Sequence, residues 1–279
     1  MIPPIANNFV AGESADGALD HVADRNARGV GGIVNLLGEH YDERPPADAD
    51  ADVYCDLVEK IDARGLDASV SVKPSQIGID LGDGVFEDNL ERIVDAGKDH
   101  EVFVWVDMED HTTTDVTLDA VVENARRYPN GVGVAIQANL RRTEGDLRRL
   151  ASEPVHVRLV KGAYDEPAEV AYTDKADVNA AYKDDLELLF REFDDGVAVG
   201  SHDPEMIDYA TDLYEEYGTP FEIQMLMGVR DEAQEELAAE GYEVNQYVPY
   251  GGKWFLYFWR RIRERKQNAL FALRAVLGV

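Results

Sequence analysis

Two apolar segments flank one charged segment in the stretch ASVSVKPSQIGIDLGDGVFEDNLERIVDAGKDHEVFVWVDME, residues 68–109. Residues 68–74 and 101–109 are rich in valine, as buried strands are. Between them, residues 88–97 place apolar side chains at helical spacing. A strand, a helix and a second strand in this order predict a parallel pair joined by a right-handed crossover.

The same alternation recurs along the rest of the chain. Eight strands are predicted, at residues 31–39, 68–74, 101–109, 131–139, 155–164, 196–203, 221–228 and 242–251. Helical segments lie between them, for example at 52–65, 117–128 and 205–218. Eight strand–helix units favour a distorted (β/α)8 barrel of TIM type, and an open doubly wound sheet is the alternative. No linker interrupts the pattern, so one domain over 1–279 is predicted, with a helical lead-in at 1–30.

The composition is globular and strongly acidic. Hydrophobic residues make up 45% of the 279 positions, and 56 acidic residues outnumber 27 basic ones, which gives a formal net charge of −29. Nucleic acid is not an expected partner, because its phosphates would meet a repulsive field. The acids are spread along the whole chain, a pattern similar to that of proteins from salt-loving organisms.

Cysteine usage and the length of apolar runs bear on location. Cys55 is the only cysteine, so no disulfide can form within the chain, and a cytoplasmic setting is expected. The first residues, MIPPIANNFVAGES, lack the basic start and long apolar run of a signal peptide. No stretch approaches the roughly 18 apolar residues of a membrane span. At most a peripheral contact with a membrane is expected.

Polar and ionisable side chains are concentrated near the C-terminal ends of the predicted strands, where β/α barrels carry their sites. They either converge on one site or decorate a solvated rim. A lysine at a barrel mouth can act as a Schiff-base nucleophile or pair with an anionic group. The residues concerned are Lys73, Asp107, Glu109, Gln137, Arg158, Lys161, Tyr164, His202, Gln224 and Tyr247.

The segment DMEDH, residues 107–111, raises the alternative of a metal site, because carboxylates and imidazole are common ligands. Asp107 and Glu109 share one strand face, whereas Asp110 begins a loop. No HExxH or CxxC spacing is present. The favoured interpretation is a metal-free site in which Asp107 accepts hydrogen bonds inside the barrel.

The segment VRLVKGAY, residues 157–164, carries two basic residues near a strand end. Arg158 and Val160 share one strand face, and Lys161 points the other way. Gly162 permits a ligand to approach the backbone closely. A strand with two bases in so acidic a chain favours a binding role over a solvated surface.

The segment KWFLYFWRRIRERK, residues 253–266, is basic although the chain is acidic. On a helix, Tyr257, Arg260, Arg261 and Glu264 fall on one face, and apolar residues fall on the other. Paired arginines suit a carboxylate, which guanidinium groups bind bidentately. A solvated polar face and a basic helix on an anionic membrane are the alternatives.

Taken together, these motifs resemble proline dehydrogenase, the flavin-dependent enzyme of proline catabolism. In chain order they are VKPSQIG, DMED, IQANLRRT, VRLVKGAYDEP, GSHD, FEIQMLMG and YVPYGGKWFLYFWRRIRE. The segments VRLVKGAY and YVPYG…YFxRR are the specific ones, and the order of the whole set strengthens them. The resemblance implies that the last helix lies over the barrel mouth.

The resemblance also implies a reaction and a set of residues. L-proline is oxidised to Δ1-pyrroline-5-carboxylate by hydride transfer from proline C5 to N5 of a non-covalently bound FAD. Electrons then pass to a quinone or another acceptor, with at most transient peripheral contact at the inner face of the cell membrane. The implied proline pocket contains Lys73, Asp107, Tyr247, Tyr257, Arg260, Arg261 and Glu264. The implied flavin contacts are Asp107, Gln137, Arg158, Lys161, Gly162, Ala163, Tyr164, His202 and Gln224.

Three residues depart from the family pattern. Asp165 replaces an aromatic residue, and Ser201 and Asp203 flank His202 in place of threonine and asparagine. These departures concern packing around the adenosine and ribityl parts of FAD. Two rival functions remain: a Schiff-base aldolase or lyase that uses Lys73 or Lys161, and a non-catalytic barrel that binds a flavin or an amino acid.

Overall fold

Eight parallel β-strands close into a barrel in the computed structural model, which describes residues 8–38 and 40–253. Each strand pairs with its neighbours in chain order, and β1 closes the barrel against β8. The TIM-type fold class is therefore confirmed, and the open sheet is excluded. The strands are β1 (Gly31–Leu36), β2 (Ala68–Val72), β3 (Val104–Val106), β4 (Val132–Gln137), β5 (His156–Val160), β6 (Val197–Gly200), β7 (Phe221–Leu226) and β8 (Glu243–Tyr250).

The helices follow the strands around the outside of the barrel, except for the first, which precedes β1. Ser14, Asp174 and Asp203 begin three of them, and each side chain accepts a backbone N–H of the first turn. The helices are α1 (Ala15–Asn26), α2 (Arg44–Arg64), α3 (Asp83–Asp99), α4 (Thr114–Arg127), α5 (Thr143–Leu150), α6 (Lys175–Glu192), α7 (Pro204–Tyr217) and α8 (Asp231–Ala239).

Every predicted strand segment contains one observed strand, but all eight predictions run past its C-terminal end. The largest difference in total length is at β3, which spans only Val104–Val106 within the predicted 101–109. The alternating pattern continues past the ladder because residues of the barrel mouth keep one face towards the axis. Asp107 illustrates this, since its N–H still donates to Val72 O at 2.8 Å although β3 has ended.

Side chains of the strands alternate between the helices and the barrel axis. Outward residues such as Val70, Val104 and Val134 pack with helix residues in the main hydrophobic core. On the axis, Ile33, Trp105 and Ala198 form a small separate cluster with Phe103 and Tyr247 packed against it. This apolar cluster forms a floor beneath the polar side chains of the mouth.

Asp185 on α6 is a buried carboxyl, 7% exposed, within the helical layer. Burial, and then the nearby Asp184 and Glu144, raise its pKa to about 7. The folded chain thus favours the protonated form, so the free energy of unfolding falls as pH rises from about 4 to about 7. We expect Asp185→Asn to raise the free energy of unfolding by about 2 kcal/mol near pH 8, and to have little effect near pH 4.

Urea denaturation at both pH values measures this difference. The control is Asp208→Asn, which changes an exposed aspartate of α7 and should alter stability little at either pH. A gain from Asp185→Asn that is the same at both pH values would contradict the assigned protonation.

Candidate active site

A buried carboxylate lies just after β3 at the barrel mouth and contacts side chains from the β2, β5 and β8 segments. The Oδ2 atom of Asp107 accepts hydrogen bonds from Lys73 Nζ at 2.5 Å and from the Tyr247 hydroxyl at 2.7 Å. Its Oδ1 atom accepts from the Ser71 hydroxyl at 2.8 Å and from the Arg158 guanidinium. We call these five residues the Asp107 cluster.

The two cations of the cluster control the charge of Asp107. Burial opposes ionisation of the carboxyl, but the charges of Lys73 and Arg158, with the hydrogen bonds from Lys73 and Tyr247, outweigh it. The pKa of Asp107 therefore lies well below its ordinary value. At neutral pH the carboxylate accepts hydrogen bonds and has no proton to donate.

Arg158 is buried, 4% exposed, and protein groups contact its guanidinium on several sides. Its Nη1 donates to Gln224 Oε1 at 3.0 Å, and its Nη2 donates to Ser71 Oγ at 3.2 Å as well as to Asp107. The guanidinium also lies 5.0 Å from the ring centre of Trp105. These contacts fix the plane of a permanent positive charge inside the barrel.

A second carboxylate, Glu109, ties the β3 end to neighbouring loops. It accepts from Ser75 N at 2.6 Å, from Ser75 Oγ at 2.8 Å and from the Tyr164 hydroxyl at 3.3 Å. The amide of Gln137 donates to Glu109 O at 2.7 Å and accepts from Ala163 N at 3.4 Å. Three of the predicted flavin contacts are thus linked near the end of β3: Tyr164 and Gln137 bond to Glu109, and Ala163 bonds to Gln137.

The loop after β5 contains a glycine whose backbone no other residue adopts easily. Gly162 has φ +106°, and a Cβ atom there would collide with Asn139 Oδ1. That oxygen is buried and has no hydrogen-bond partner among the described residues. The absence of a side chain at Gly162 therefore lets the loop pass close to Asn139, beside a buried acceptor atom.

Gly162→Ala is expected to lower the free energy of unfolding by about 2 kcal/mol, because left-handed strain and the collision with Asn139 act together. Urea denaturation measures the change. The matched control is Gly145→Ala on α5, where no atom lies within 4 Å of the added Cβ and φ is not positive. Equal stabilities of the two variants would contradict the assigned role of Gly162.

Lys161 and His202 lie on the β5–β7 side of the mouth. The ammonium of Lys161 donates to Asn179 Oδ1 at 2.7 Å and to Asp203 Oδ2 at 2.8 Å, between α6 and α7. This hydrogen bond lowers the pKa of Asp203. His202 Nε2 accepts from Leu226 N at 2.8 Å, so a neutral ring carries its proton on Nδ1. Lys161 therefore points away from Arg158, which contacts Asp107.

The side chains of the DMEDH segment diverge. Asp110 accepts from Thr112 N at 2.8 Å and starts a short 3-10 turn. His111 contacts Glu166 through both its backbone N–H and its ring. Because Asp107 and Glu109 have separate partners as well, this geometry does not support the metal-site alternative.

Sequence reasoning missed three residues that shape the site: Ser71, Trp105 and Asn139. Ser71 and Trp105 lie two positions before Lys73 and Asp107, so period-two alternation was a signal that could have found them. Asn139 lies in the turn after β4 and gave no such signal.

The predicted residues Tyr257, Arg260, Arg261 and Glu264, and the helix proposed to carry them, lie outside the described residues. The last described residue is Lys253, whose Nζ donates to the Tyr41 hydroxyl at 3.2 Å. Across residues 8–38 and 40–253, no helix is both long enough and apolar enough to cross a membrane.

The closed parallel sheet with helices outside it defines a (β/α)8 barrel, and ionisable groups gather at the C-terminal ends of its strands. Within that class, the chain belongs to the proline dehydrogenase family, whose model matches residues 18–274.

Individual relatives agree with this assignment. The chain is 38% identical to a proline dehydrogenase of Deinococcus radiodurans, over 98% of this chain and 90% of that protein. It is 36% identical to proline dehydrogenase 1 of Bacillus subtilis, with the same coverage. Among solved structures, proline utilization A of Bdellovibrio bacteriovorus, inactivated by N-propargylglycine, superposes with a TM-score of 0.84 at 25% identity. That match covers 92% of this chain but only 32% of the structure, so the chain spans about a third of that protein.

Proposed function

We propose that this chain oxidises L-proline to Δ1-pyrroline-5-carboxylate, with FAD accepting a hydride from proline C5 at flavin N5. The observation that carries the proposal is the Asp107 cluster, in which a lysine, an arginine and a tyrosine converge on one carboxylate at the mouth of a family barrel. Relatives with the name proline dehydrogenase support the substrate.

The residues of the mouth fit a flavin. Arg158 presents a fixed cation, Gly162 lets the loop after β5 pass close to Asn139, and the buried Oδ1 of Asn139 has no partner among the described residues. When bound, FAD supplies the two-electron acceptor. A fixed guanidinium stabilises negative charge that develops next to it. We propose that the cofactor is held by Asp107, Gln137, Arg158, Lys161, Gly162, Ala163, Tyr164, His202 and Gln224.

The chemistry of proline assigns the other groups. Its carboxylate needs cationic donors, which we propose are Arg260 and Arg261, with Glu264 holding Arg260 and Tyr257 covering the pocket. Its amine must lose a proton before the hydride leaves, because the nitrogen lone pair drives that departure. The lowered pKa of Asp107 makes its carboxylate a weak acceptor for that proton, which we propose passes to solvent. The proposed part of Asp107 is to hold Lys73 and Tyr247 in place.

The function is tested by the colour of the purified protein. We expect a yellow protein that loses its colour when L-proline is added without oxygen. A colourless preparation that cannot be reconstituted with FAD would contradict the proposal. A yellow protein that proline does not bleach would indicate the non-catalytic binding barrel instead.

The Schiff-base rival has a separate test. Lys73 is ion-paired with Asp107 and Lys161 with Asp203, so a carboxylate already occupies each ammonium group. We therefore expect no covalent adduct when the protein is treated with borohydride in the presence of a carbonyl substrate. Trapping at either lysine would support the aldolase or lyase reaction.

The electrons must leave the protein after each turnover. We propose a quinone or another small acceptor, reached from the cytoplasm through at most a transient contact with the membrane surface. The net charge of −29 disfavours broad attachment to anionic lipid. Activity with a soluble quinone in the absence of lipid would support this arrangement.

Arg260→Ala and Arg261→Ala are each expected to raise the KM for proline by about tenfold or more, because each removes a charge-assisted bond to the carboxylate. Steady-state kinetics measures the effect. Lys266→Ala is the control, since its position in the helical pattern is opposite Arg260 and Arg261. An unchanged KM in either arginine variant would exclude that arginine from the carboxylate site.

A further inference from the structure

Glu222 is a carboxylate inside the barrel that is absent from the predicted site. It lies near the N-terminal end of β7, two residues before Gln224 and on the same strand face. Its Oε1 accepts from Gln224 Nε2 at 2.7 Å, and its Oε2 accepts from Asn245 Nδ2. Glu222 also lines a cavity at the end of the barrel opposite the Asp107 cluster.

The amide of Gln224 lies between two groups of opposite hydrogen-bonding character. Its Oε1 accepts from Arg158 Nη1 at 3.0 Å, and its Nε2 donates to Glu222. A guanidinium can only donate and a carboxylate can only accept, so one orientation of the amide satisfies both. Gln224 is 4% exposed, and water therefore has little access to relieve a wrong orientation.

We infer that Glu222 is a positioning residue for Arg158, which it holds by orienting the amide of Gln224. The chain of contacts runs from Glu222 through Gln224 to Arg158 and ends at Asp107. The kinetic consequence rests on the proposed function, because Arg158 is placed there beside the cofactor. The orientation of Arg158 itself does not depend on that function.

Glu222→Gln tests the inference. An amide at position 222 offers one oxygen, while the two neighbouring side chains, Gln224 and Asn245, both present N–H groups to it. The variant therefore favours a reversed Gln224 amide, with Nε2 turned towards Arg158. Arg158 Nη1 then loses Gln224 Oε1 as its hydrogen-bond acceptor. We expect kcat/KM for proline to fall about tenfold and the Kd of FAD to rise by a similar factor.

NMR of the protein without cofactor reports the orientation of Arg158 separately from catalytic activity. When hydrogen bonds hold both Nη groups of an arginine, rotation about the C–N bonds of the guanidinium is slow. The two Nη nitrogens then give separate NMR signals. We expect separate Arg158 Nη signals in the unmodified chain and a merged signal in Glu222→Gln. This measurement remains valid even if the protein proves not to oxidise proline, so the two proposals can fail independently.

The swap variant Glu222→Gln/Asn245→Asp supplies the rescue. Its new carboxylate at position 245 accepts from the amide at 222, whose oxygen is then free to accept from Gln224 Nε2. We expect most of the lost kcat/KM and the separate Arg158 signals to return. The control is Glu243→Gln, which changes the carboxylate paired with Glu222 in the strand register and should alter neither readout.

All assays are made near pH 8.5, because burial and the neighbouring Glu243 raise the pKa of Glu222 to about 7. Separate Arg158 signals and unchanged kinetics in Glu222→Gln would overturn the inference. So would a loss that the swap variant does not restore, since that result assigns Glu222 a structural role only.

Discussion

Asp107→Asn is expected to lower the free energy of unfolding by about 3 kcal/mol near pH 7 and to lower kcat/KM for proline about a thousandfold. The substitution keeps the size of the side chain but removes the anion between Lys73 and Arg158. Arg158 is buried and cannot lose its proton, so its charge is left uncompensated. Lys73 is the more exposed partner and can turn towards solvent, which takes it out of the predicted proline pocket.

The loss of stability depends on pH with a definite sign. The pKa of Asp107 is lowered in the folded chain, so its carboxylate stabilises the fold above the ordinary pKa of about 4. That contribution is lost as pH falls further and the carboxylate is protonated. The difference between the original chain and Asp107→Asn should therefore be largest near pH 7 and shrink near pH 3.

Asp119→Asn is the matched control for this variant. Asp119 pairs with Arg149 at 2.5 Å, but both side chains are largely in solvent. Exposed pairs of this kind contribute about 0–1 kcal/mol. Chemical denaturation at the two pH values, with steady-state kinetics, compares the variants. Similar losses in both would show that Asp107 is not an internal anchor for the two cations.

The barrel was predictable because its signals are local. Each strand is a short apolar run and each helix a longer amphipathic one, so residues 68–109 alone contain the repeating unit. Strand ends were less accurate, as at β3, because alternation continues into mouth residues after the ladder stops. The same alternation predicted that Arg158 and Lys161 lie on opposite strand faces, without assigning which face is inside the barrel.

The contacts within the site were not predictable from local pattern. Tyr247 and Asp107 are 140 residues apart, and they meet only because β8 closes against β1. Glu222 gave no signal in the sequence, since an acid at the start of a strand usually faces solvent. Its link to Arg158 depends on which way the Gln224 amide points, which only the folded arrangement of donors and acceptors determines.

Arg158→Lys is expected to lower kcat/KM for proline about a hundredfold while lowering the free energy of unfolding by only about 1 kcal/mol. Lysine keeps the positive charge near Asp107, so the carboxylate still has two cations beside it. A single ammonium cannot replace the guanidinium fork, which donates from Nη1 to Gln224 and from Nη2 to Ser71 and Asp107. The flat contacts with the rings of Trp105 and Tyr247 are also lost.

Steady-state kinetics, chemical denaturation and the midpoint potential of the bound flavin distinguish charge from geometry at Arg158. We expect a more negative potential in Arg158→Lys, because the charge is no longer held in a fixed plane beside the acceptor. Arg126→Lys is the control, since Arg126 forms a two-point contact with Glu153 on the surface.

If Arg158→Lys retains the original kcat/KM and potential, charge alone suffices at this position. In that case the orientation supplied through Glu222 and Gln224 has no part in the reaction. A large kinetic loss with little loss of stability assigns the guanidinium fork itself to the chemistry of the site.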